Sequence, residues 1–292
     1  MSKTFNVTAD CKPNLHYMVD LRSRLAEIKG YVDRGEYFTI HRARQYGKTT
    51  TPRALKEYLK DEYYVVSMDF QMQMSHAKFR DENTFSVAFA KAFVRIAENM
   101  DMLPGRPLAR LKTAINENRE ELELVELFLH LSDICRDADR PLVLMIDEID
   151  SAANNQVFLD FLSQLRGYYI DRDKTPTFRS VILAGVYDIK NLKRKFRPED
   201  AHSMNSPWNI AVDFKVDMSF SAGEIAGMLE DYEREHATGM SVEEMAELIY
   251  QYTSGYPFLV SKFCKLIAEE VVGSEDFPEE RNAWTYAGFL EA

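Results

Sequence analysis

Short apolar runs that alternate with longer helical periods are the feature that most limits what this 292-residue chain can fold into. The clearest run, residues 141–147 (PLVLMID), is apolar almost throughout, as expected for a strand that is buried on both faces of a sheet. Comparable runs occupy residues 36–41, 63–70 and 180–186, and the stretches between the runs have helical spacing. This alternation predicts an α/β fold, with a parallel sheet in a three-layer arrangement between helices.

The pattern changes near residue 220. Residues 210–218 alternate like a half-buried strand, but no further strand pattern follows them. Helical periods come next, at residues 221–236, 241–252 and 258–271. We therefore predict two domains, an α/β core over residues 1–220 and a helical subdomain over residues 221–292.

The composition excludes several classes of protein. Hydrophobic residues make up 46% of the chain, but no apolar run reaches the roughly 20 residues that span a bilayer. The N-terminal residues lack the apolar segment of a signal peptide, and the 3 cysteines are far apart. We therefore expect a cytoplasmic protein with reduced thiols and no membrane partner. The net charge of −11 argues against nucleic acid as a partner of this chain alone.

A phosphate-binding motif follows the first predicted strand directly. A phosphate site needs backbone N–H groups that converge on an anion, a helix N-terminus behind them and a cation that reaches over them. Residues 42–50 (RARQYGKTT) offer this arrangement, although Arg42 stands where the usual G-x-x-x-x-G-K-[ST] spacing has its first glycine. The residues expected to bind the nucleotide phosphates are Arg44, Gln45, Tyr46, Gly47, Lys48, Thr49 and Thr50.

Two carboxylates complete the predicted site. Asp147 ends the clearest apolar run and Glu148 follows it, which places both at the edge of the sheet where α/β proteins bind ligands. In a site for a nucleoside triphosphate with Mg²⁺, Lys48 compensates the β- and γ-phosphates, while Thr49 and Asp147 hold the metal ion. Glu148 is then positioned to polarise an attacking water, so Glu148 and Lys48 are the expected catalytic residues. Glu148 could instead be a surface carboxylate that only follows the strand.

Three segments together resemble the AAA-like ATPases of bacteria and archaea. They are residues 37–51 (YFTIHRARQYGKTTT), 143–150 (VLMIDEID) and 254–260 (SGYPFLV). The resemblance covers about residues 16–272 and is close to the signal-transduction ATPases with numerous domains (STAND), which are ASCE-type P-loop proteins. It implies an AAA-like P-loop NTPase fold with a C-terminal helical lid, and ATP rather than GTP as the nucleotide. The loop of this group commonly lacks the first glycine, so Arg42 departs little from the family pattern.

The resemblance also implies roles for three residues outside the two motifs. Tyr17, in the segment HYMVD, falls where related ATPases place a short segment against the adenine. Asp188 follows the strand at residues 180–186, where a polar sensor residue would face the γ-phosphate. Pro257 ends the Gly-Tyr-Pro turn of the lid, which packs near the base in related proteins. The simpler alternatives are a buried aromatic, a helix N-cap and a helix-starting proline, respectively.

Pro52 is a departure that conflicts with the motif. It follows Lys48 by four residues and is expected inside the helix that the loop begins. A proline in an ordinary helix interior costs about 3 kcal/mol, because it removes a backbone hydrogen bond and crowds the preceding turn. The sequence therefore predicts a short or kinked helix, which a change of Pro52 to leucine should stabilise.

The leading functional hypothesis is an Mg-dependent ATPase that acts as a nucleotide-driven switch through its helical lid. The alternative is a regulatory module that binds nucleotide without turnover and holds a protein partner or a second copy of itself. A nucleic-acid motor fits the net charge poorly. A small-molecule phosphotransferase fits the acidic pair and the helical C-terminal part poorly. The sequence leaves open whether turnover is significant.

Overall fold

The core of the fold is a parallel sheet. The computed structural model of the chain describes residues 2–8, 11–41, 50–100, 105–117, 119–152, 155–185 and 208–292. Within these residues, four parallel strands form one sheet in the order β1-β4-β3-β2. The strands are β1 (Phe38–His41), β2 (Tyr64–Asp69), β3 (Leu142–Asp147) and β4 (Ser180–Gly185). The prediction of an α/β fold with a parallel sheet is confirmed, and each strand lies within one of the apolar runs that predicted it.

The two central strands owe their composition to burial on both faces. Every residue of β4 is buried, and in β3 only the terminal Asp147 is less than fully buried. Neither strand alternates, because helices cover both faces of a parallel sheet. Ile146 of β3 pairs with Leu183 of β4, so the carboxyl ends of these two strands lie side by side.

Helices precede and connect the strands. The longest described helix, Glu82–Glu98, has Asp81 as its N-cap. The side chain of Asp81 accepts a hydrogen bond from the backbone N–H of Thr84 at 2.7 Å. Phenylalanine side chains fill much of the core: Phe85 and Phe89 contact Phe161, with ring centroids 5.3 and 5.0 Å apart. The helices are α1 (Arg22–Asp33), α2 (Thr50–Leu59), α3 (Phe70–Gln73), α4 (Glu82–Glu98), α5 (Gly105–Glu117), α6 (Leu124–Asp137) and α7 (Gln156–Ile170).

Residues 208–214 return to the outer edge of β1 without forming a strand. The backbone N–H of Val212 donates to the carbonyl of Tyr37 at 2.9 Å, in an isolated β-bridge between Val212 and Phe38. The prediction of a strand over residues 210–218 is therefore wrong. Alternating burial is present, but alternation needs only an extended backbone with one face covered, and the ring of Phe214 stacks on Phe38 at 5.6 Å.

The chain forms two compact units. The α/β unit comprises Glu27–Arg42 and Leu55–Lys215, and the helical unit comprises Met1–Ala26, Ala43–Ala54 and Val216–Ala292. The helical unit thus begins slightly before the predicted boundary at residue 220. It also includes N-terminal residues that the sequence prediction had assigned to the α/β core.

The helical unit has its own apolar core. The predicted helical periods form three helices, Ala222–His236, Val242–Thr253 and Pro257–Leu266, and the last of these continues into a π-helical turn at Ile267–Val271. Phe5 and Tyr17 from the N-terminal segment are buried in this core beside Tyr232 and Trp284. No described helix is long and apolar enough to cross a membrane. The helices are α8 (Ala222–His236), α9 (Val242–Thr253), α10 (Pro257–Leu266), α11 (Glu280–Ala283) and α12 (Tyr286–Glu291).

Candidate functional site

Part of the predicted site lies among the described residues. Thr50 is the first residue of α2, and Asp147 and Glu148 stand at the end of β3. In the sequence, residues 42–49 of the predicted phosphate motif stand between β1 and α2. Tyr17 and Pro257 are also described, whereas seven predicted residues lie outside the described part of the chain: Arg44, Gln45, Tyr46, Gly47, Lys48, Thr49 and Asp188.

The strand order gathers the strand ends that carry the predicted site. The described strands are all parallel, so their carboxyl ends share one edge of the sheet. Strand β4 lies between β1, which leads into residues 42–49, and β3, which ends in Asp147. The chain runs from β1 to the far strand β2 and then returns through β3 to β4. Open α/β sheets bind ligands at the carboxyl edge, where the strand order reverses in this way.

The end of β3 is a sharp corner at Glu148. The backbone of Glu148 has φ 54° and ψ 41°, the left-handed conformation that residues other than glycine seldom adopt. The backbone N–H of Glu148 donates to the carboxylate of Asp147 at 2.8 Å. The hydroxyl of Ser151 donates to the carbonyl of Glu148 at 3.0 Å, which fixes the far side of the corner. Such backbone strain is concentrated at functional sites, where the surrounding structure imposes it.

Gly185, the last residue of β4, leaves the space that this corner occupies. A Cβ atom at Gly185 would stand 2.6 Å from Cγ1 of Ile149 and 3.1 Å from Oδ1 of Asp150. Ile149 is buried and follows Glu148 directly. Only glycine allows β4 to approach the corner so closely. Gly185 was not among the predicted site residues, although a glycine within an apolar strand run can indicate close approach of another backbone.

A second carboxylate lies next to Asp147 at the edge of the sheet. Asp69 ends β2 and pairs in register with Asp147. Oδ1 of Asp69 accepts the backbone N–H of Met72 at 3.0 Å and so caps α3. No local pattern in the sequence indicates that Asp69 is a neighbour of Asp147, because the pairing of β2 with β3 depends on the strand order.

The described donor set fits a magnesium ion only in part. Among the described residues, no three His, Cys, Asp or Glu side chains lie close enough together to hold a metal ion. Magnesium is usually held by one or two carboxylates together with phosphate oxygens and water, rather than by a full set of protein ligands. The carboxylate of Asp147 at the carboxyl edge of the sheet is compatible with that mode of binding.

Pro52 lies in α2, which is described from Thr50 to Leu59. Residues 42–49, directly before Thr50, lie outside the described residues, so the described part of the chain does not locate the N-terminus of this helix. The cost predicted for a proline in its interior therefore stays a prediction. Pro52 is buried, and α2 continues without interruption to Leu59.

Tyr17 is a buried residue of the helical unit. Its side chain is 2% exposed and contacts the rings of Phe5 and Tyr232 at 4.9 and 5.2 Å. Its hydroxyl donates to Oε2 of Glu235 at 2.6 Å. Burial and the hydrogen bond to Glu235 raise the pKa of Tyr17 to about 12. These contacts match the alternative that the sequence left open for Tyr17, a buried aromatic.

The Gly-Tyr-Pro turn joins α9 to α10. Ser254 and Gly255 both have positive φ, 49° and 70°, and they end α9. Pro257 is the first residue of α10, a position where its missing N–H costs nothing. Pro257 therefore starts a helix, which matches the alternative that the sequence left open for it.

Comparisons with known proteins agree with this architecture. A family model described as an AAA-like domain matches residues 23–283. The ORC1 protein of Aeropyrum pernix, solved in complex with DNA, is similar at TM-score 0.50 and 11% identity, over 94% of this chain and 64% of that chain. The ORC2 protein of the same organism, solved in ADPNP-ADP complexes, gives TM-score 0.49 and 13% identity, over 98% and 72%. The likeness to ORC1 concerns the fold alone, and this chain spans less than two thirds of ORC1. No curated protein matches the sequence.

Proposed function

The chain belongs to the AAA-like domain family, whose fold is that of a nucleotide-binding P-loop ATPase, and from this premise we propose that it binds and hydrolyses Mg-ATP. The observation that carries the proposal is the strained corner at Asp147 and Glu148, at the carboxyl end of a central parallel strand. Strain of this kind is retained where the position of a side chain matters. The phosphate motif before α2 supplies the matching half of the site in the sequence.

The proposed roles follow from charge, from the phosphate motif and from the family resemblance. Lys48 compensates the β- and γ-phosphates, and the loop residues Arg44, Gln45, Tyr46, Gly47 and Thr50 surround them. Thr49 and Asp147 would hold Mg²⁺, which when bound supplies positive charge to the phosphate oxygens. Asp188 would sense the γ-phosphate, as the family resemblance implies.

Glu148 would act on the attacking water. Its carboxylate accepts a proton as the water oxygen attacks the γ-phosphorus and the bond to the bridging oxygen breaks. Rotation about the backbone of Glu148 is restricted, because its own N–H is bound by Asp147 and its carbonyl by Ser151. The restricted corner limits where the carboxylate can be, which is what a positioned base requires.

The finer parts of the proposal concern the switch. We propose that nucleotide state acts on the helical lid through the Gly-Tyr-Pro turn that ends in Pro257 and lies against the base of ATP. The segment HYMVD, which contains Tyr17, would lie against the adenine, as the family resemblance implies. A specific relation to the STAND ATPases remains part of this proposal. It rests on the three resembling segments at residues 37–51, 143–150 and 254–260.

One observation favours the second candidate, a nucleotide-binding module that holds a partner without turnover. Acidic residues outnumber basic residues about fourfold in residues 216–292, whereas the two are nearly balanced in residues 1–215. A surface of one sign suits recognition of an oppositely charged protein. It also opposes a phosphate backbone, so the DNA in the ORC1 complex is not proposed as a ligand of this chain.

Measurement of ATP turnover separates these functions. The parent protein is expected to release phosphate from Mg-ATP, and Glu148→Gln to slow release about a hundredfold or more while ATP binding is kept. Glu126→Gln, which changes an exposed carboxylate on α6, is the matched control and should behave as the parent does. Each protein is assayed with and without DNA.

The possible outcomes are distinct. No turnover by the parent above background, with ATP binding intact, would favour the binding module over the ATPase. Stimulation of the parent by DNA would contradict the exclusion of nucleic acid. Parent-like turnover by Glu148→Gln would remove Glu148 from the catalytic role.

A further inference from the structure

Arg24, in the first turn of α1, is an arginine buried within the helical unit. It is 7% exposed, and its Nε donates to the carbonyl of Asp217 at 2.7 Å. Its Nη2 donates to the carbonyl of Ser219 at 2.9 Å. A buried guanidinium is costly unless it is paired and hydrogen-bonded, so these contacts define what the side chain does.

Glu224 provides the opposite charge. Nη2 of Arg24 lies 2.8 and 2.9 Å from the two carboxylate oxygens of Glu224. The same carboxylate accepts the backbone N–H of Ser221 at 2.8 Å, while the hydroxyl of Ser221 accepts the N–H of Glu224. This capping box begins α8, so Arg24 holds the start of that helix as well as the residues before it.

The segment that Arg24 holds, residues 217–221, lies directly against the Gly-Tyr-Pro turn. The backbone N–H of Phe220 donates to the carbonyl of Gly255 at 2.8 Å. A Cβ atom at Gly255 would stand 1.9 Å from the carbonyl oxygen of Phe220, and Gly255 has φ 70°. The guanidinium of Arg24 lies over the ring of Phe220, 5.7 Å from its centroid. A shift of Phe220 therefore cannot occur without a shift of Gly255.

We propose that Arg24 is a positioning residue for the Gly-Tyr-Pro turn, acting through residues 217–221. This inference rests on the proposed function, in which the turn lies against the base of ATP. If Arg24 positions this turn, its loss weakens the contacts of the protein with the nucleoside of ATP and leaves the contacts with the phosphates unchanged. The ligand class that reports on Arg24 is thus a nucleoside triphosphate, and inorganic tripolyphosphate is the probe that does not respond.

The first test compares Arg24→Lys with Arg22→Lys. Lysine keeps the charge but cannot reproduce the fork of hydrogen bonds to two carbonyls and a carboxylate. Arg22 lies two residues earlier, has a side chain that is 85% exposed and pairs only locally with Asp20, so its variant is the matched control. Arg24→Lys should raise the dissociation constant for Mg-ATP about tenfold and change that for tripolyphosphate less than about twofold. Arg22→Lys should change neither.

Amide hydrogen exchange tests the contact without nucleotide. In Arg24→Lys, residues 217–224 and 254–260 should exchange at least about tenfold faster than in the parent or in Arg22→Lys, while the middle of α9 is unchanged. Glu224→Gln, which keeps a capping oxygen, should give the same result and replaces Arg24→Lys if that variant does not fold.

The results separate the two claims. Unchanged amide hydrogen exchange in Arg24→Lys would show that Arg24 does not hold residues 217–221 against the Gly-Tyr-Pro turn, whatever happens to nucleotide binding. Faster exchange with equal losses of ATP and tripolyphosphate affinity would overturn the positioning role. Absence of ATP binding by the parent would overturn the proposed function, and the positioning role with it. Faster exchange with a loss confined to ATP is the outcome that the inference predicts.

Discussion

Glu148 combines the carboxylate that hydrolysis needs with a backbone conformation that L-residues seldom adopt. The left-handed conformation costs roughly 1–2 kcal/mol in a residue with a Cβ atom. Hydrogen bonds to Asp147 and Ser151 and the buried Ile149 hold the corner in place. A glycine would satisfy the backbone at lower cost but would lack the carboxylate. A glutamate at this corner is therefore consistent with a chemical role.

Pro52→Leu should raise the melting temperature by a few degrees, because a proline within a helix removes a backbone hydrogen bond and crowds the preceding turn. Thermal unfolding measures this change. Glu57→Pro, further along the same helix, is the control and should cost about 3 kcal/mol or more. A Pro52→Leu variant that melts no higher than the parent would show that α2 accommodates Pro52 without strain.

At the scale of single residues, the sequence could predict what local order determines. Asp147 and Glu148 were predicted because two charges after an apolar strand need a ligand, a partner or solvent. Gly185 and Arg24 could not be predicted in this way. The role of Gly185 depends on Ile149 and that of Arg24 on Glu224, and each pair is close only in the folded chain. For Pro52 the sequence expectation stays a prediction, because residues 42–49 before α2 lie outside the described residues.

At the scale of elements, the contact between β4 and the corner after β3 determines the geometry of the candidate site. Gly185→Ala should lower the free energy of unfolding by about 1–3 kcal/mol, because the added methyl group overlaps Ile149. Chemical denaturation measures the change. In the Ile149→Ala background, Gly185→Ala should lower the free energy of unfolding by less than it does in the parent, since the overlapping atoms are then absent.

Gly167→Ala on α7 is the matched control. A Cβ atom there meets nothing within 4 Å, so this substitution should be neutral or stabilise the helix by up to about 1 kcal/mol. If Gly185→Ala were as stable as Gly167→Ala, the close approach of β4 to the corner would not constrain the site.

Elements were largely predictable because most of them carry their own periodicity. The strands and the helices α8 to α10 fall within the runs that predicted them, give or take a few residues. Residues 210–218 were misassigned, since a burial pattern cannot tell a strand from an extended segment that forms one bridge. The strand order itself has no local signal, and Asp69 was missed as a neighbour of Asp147 for that reason.

At the scale of the whole molecule, the chain forms two units that differ in construction and in sequence pattern. The helical unit takes in the N-terminal segment, whose Phe5 and Tyr17 are buried beside Tyr232. The sequence assigned that segment to the α/β core because adjacency along the chain was the only available guide. Roughly two hundred residues separate these contact partners, and no local pattern records such contacts.

The central claim, that this chain binds Mg-ATP through its phosphate loop, is tested most directly by isothermal titration with a non-hydrolysable ATP analogue and Mg²⁺. Lys56→Ala, which removes another lysine from α2, is the control and should bind as the parent does. Saturable binding by the parent, with a dissociation constant raised at least about a hundredfold in Lys48→Ala, is the predicted result, because one cation faces several phosphate charges. Parent-like affinity in Lys48→Ala, or no binding by the parent, would contradict the account.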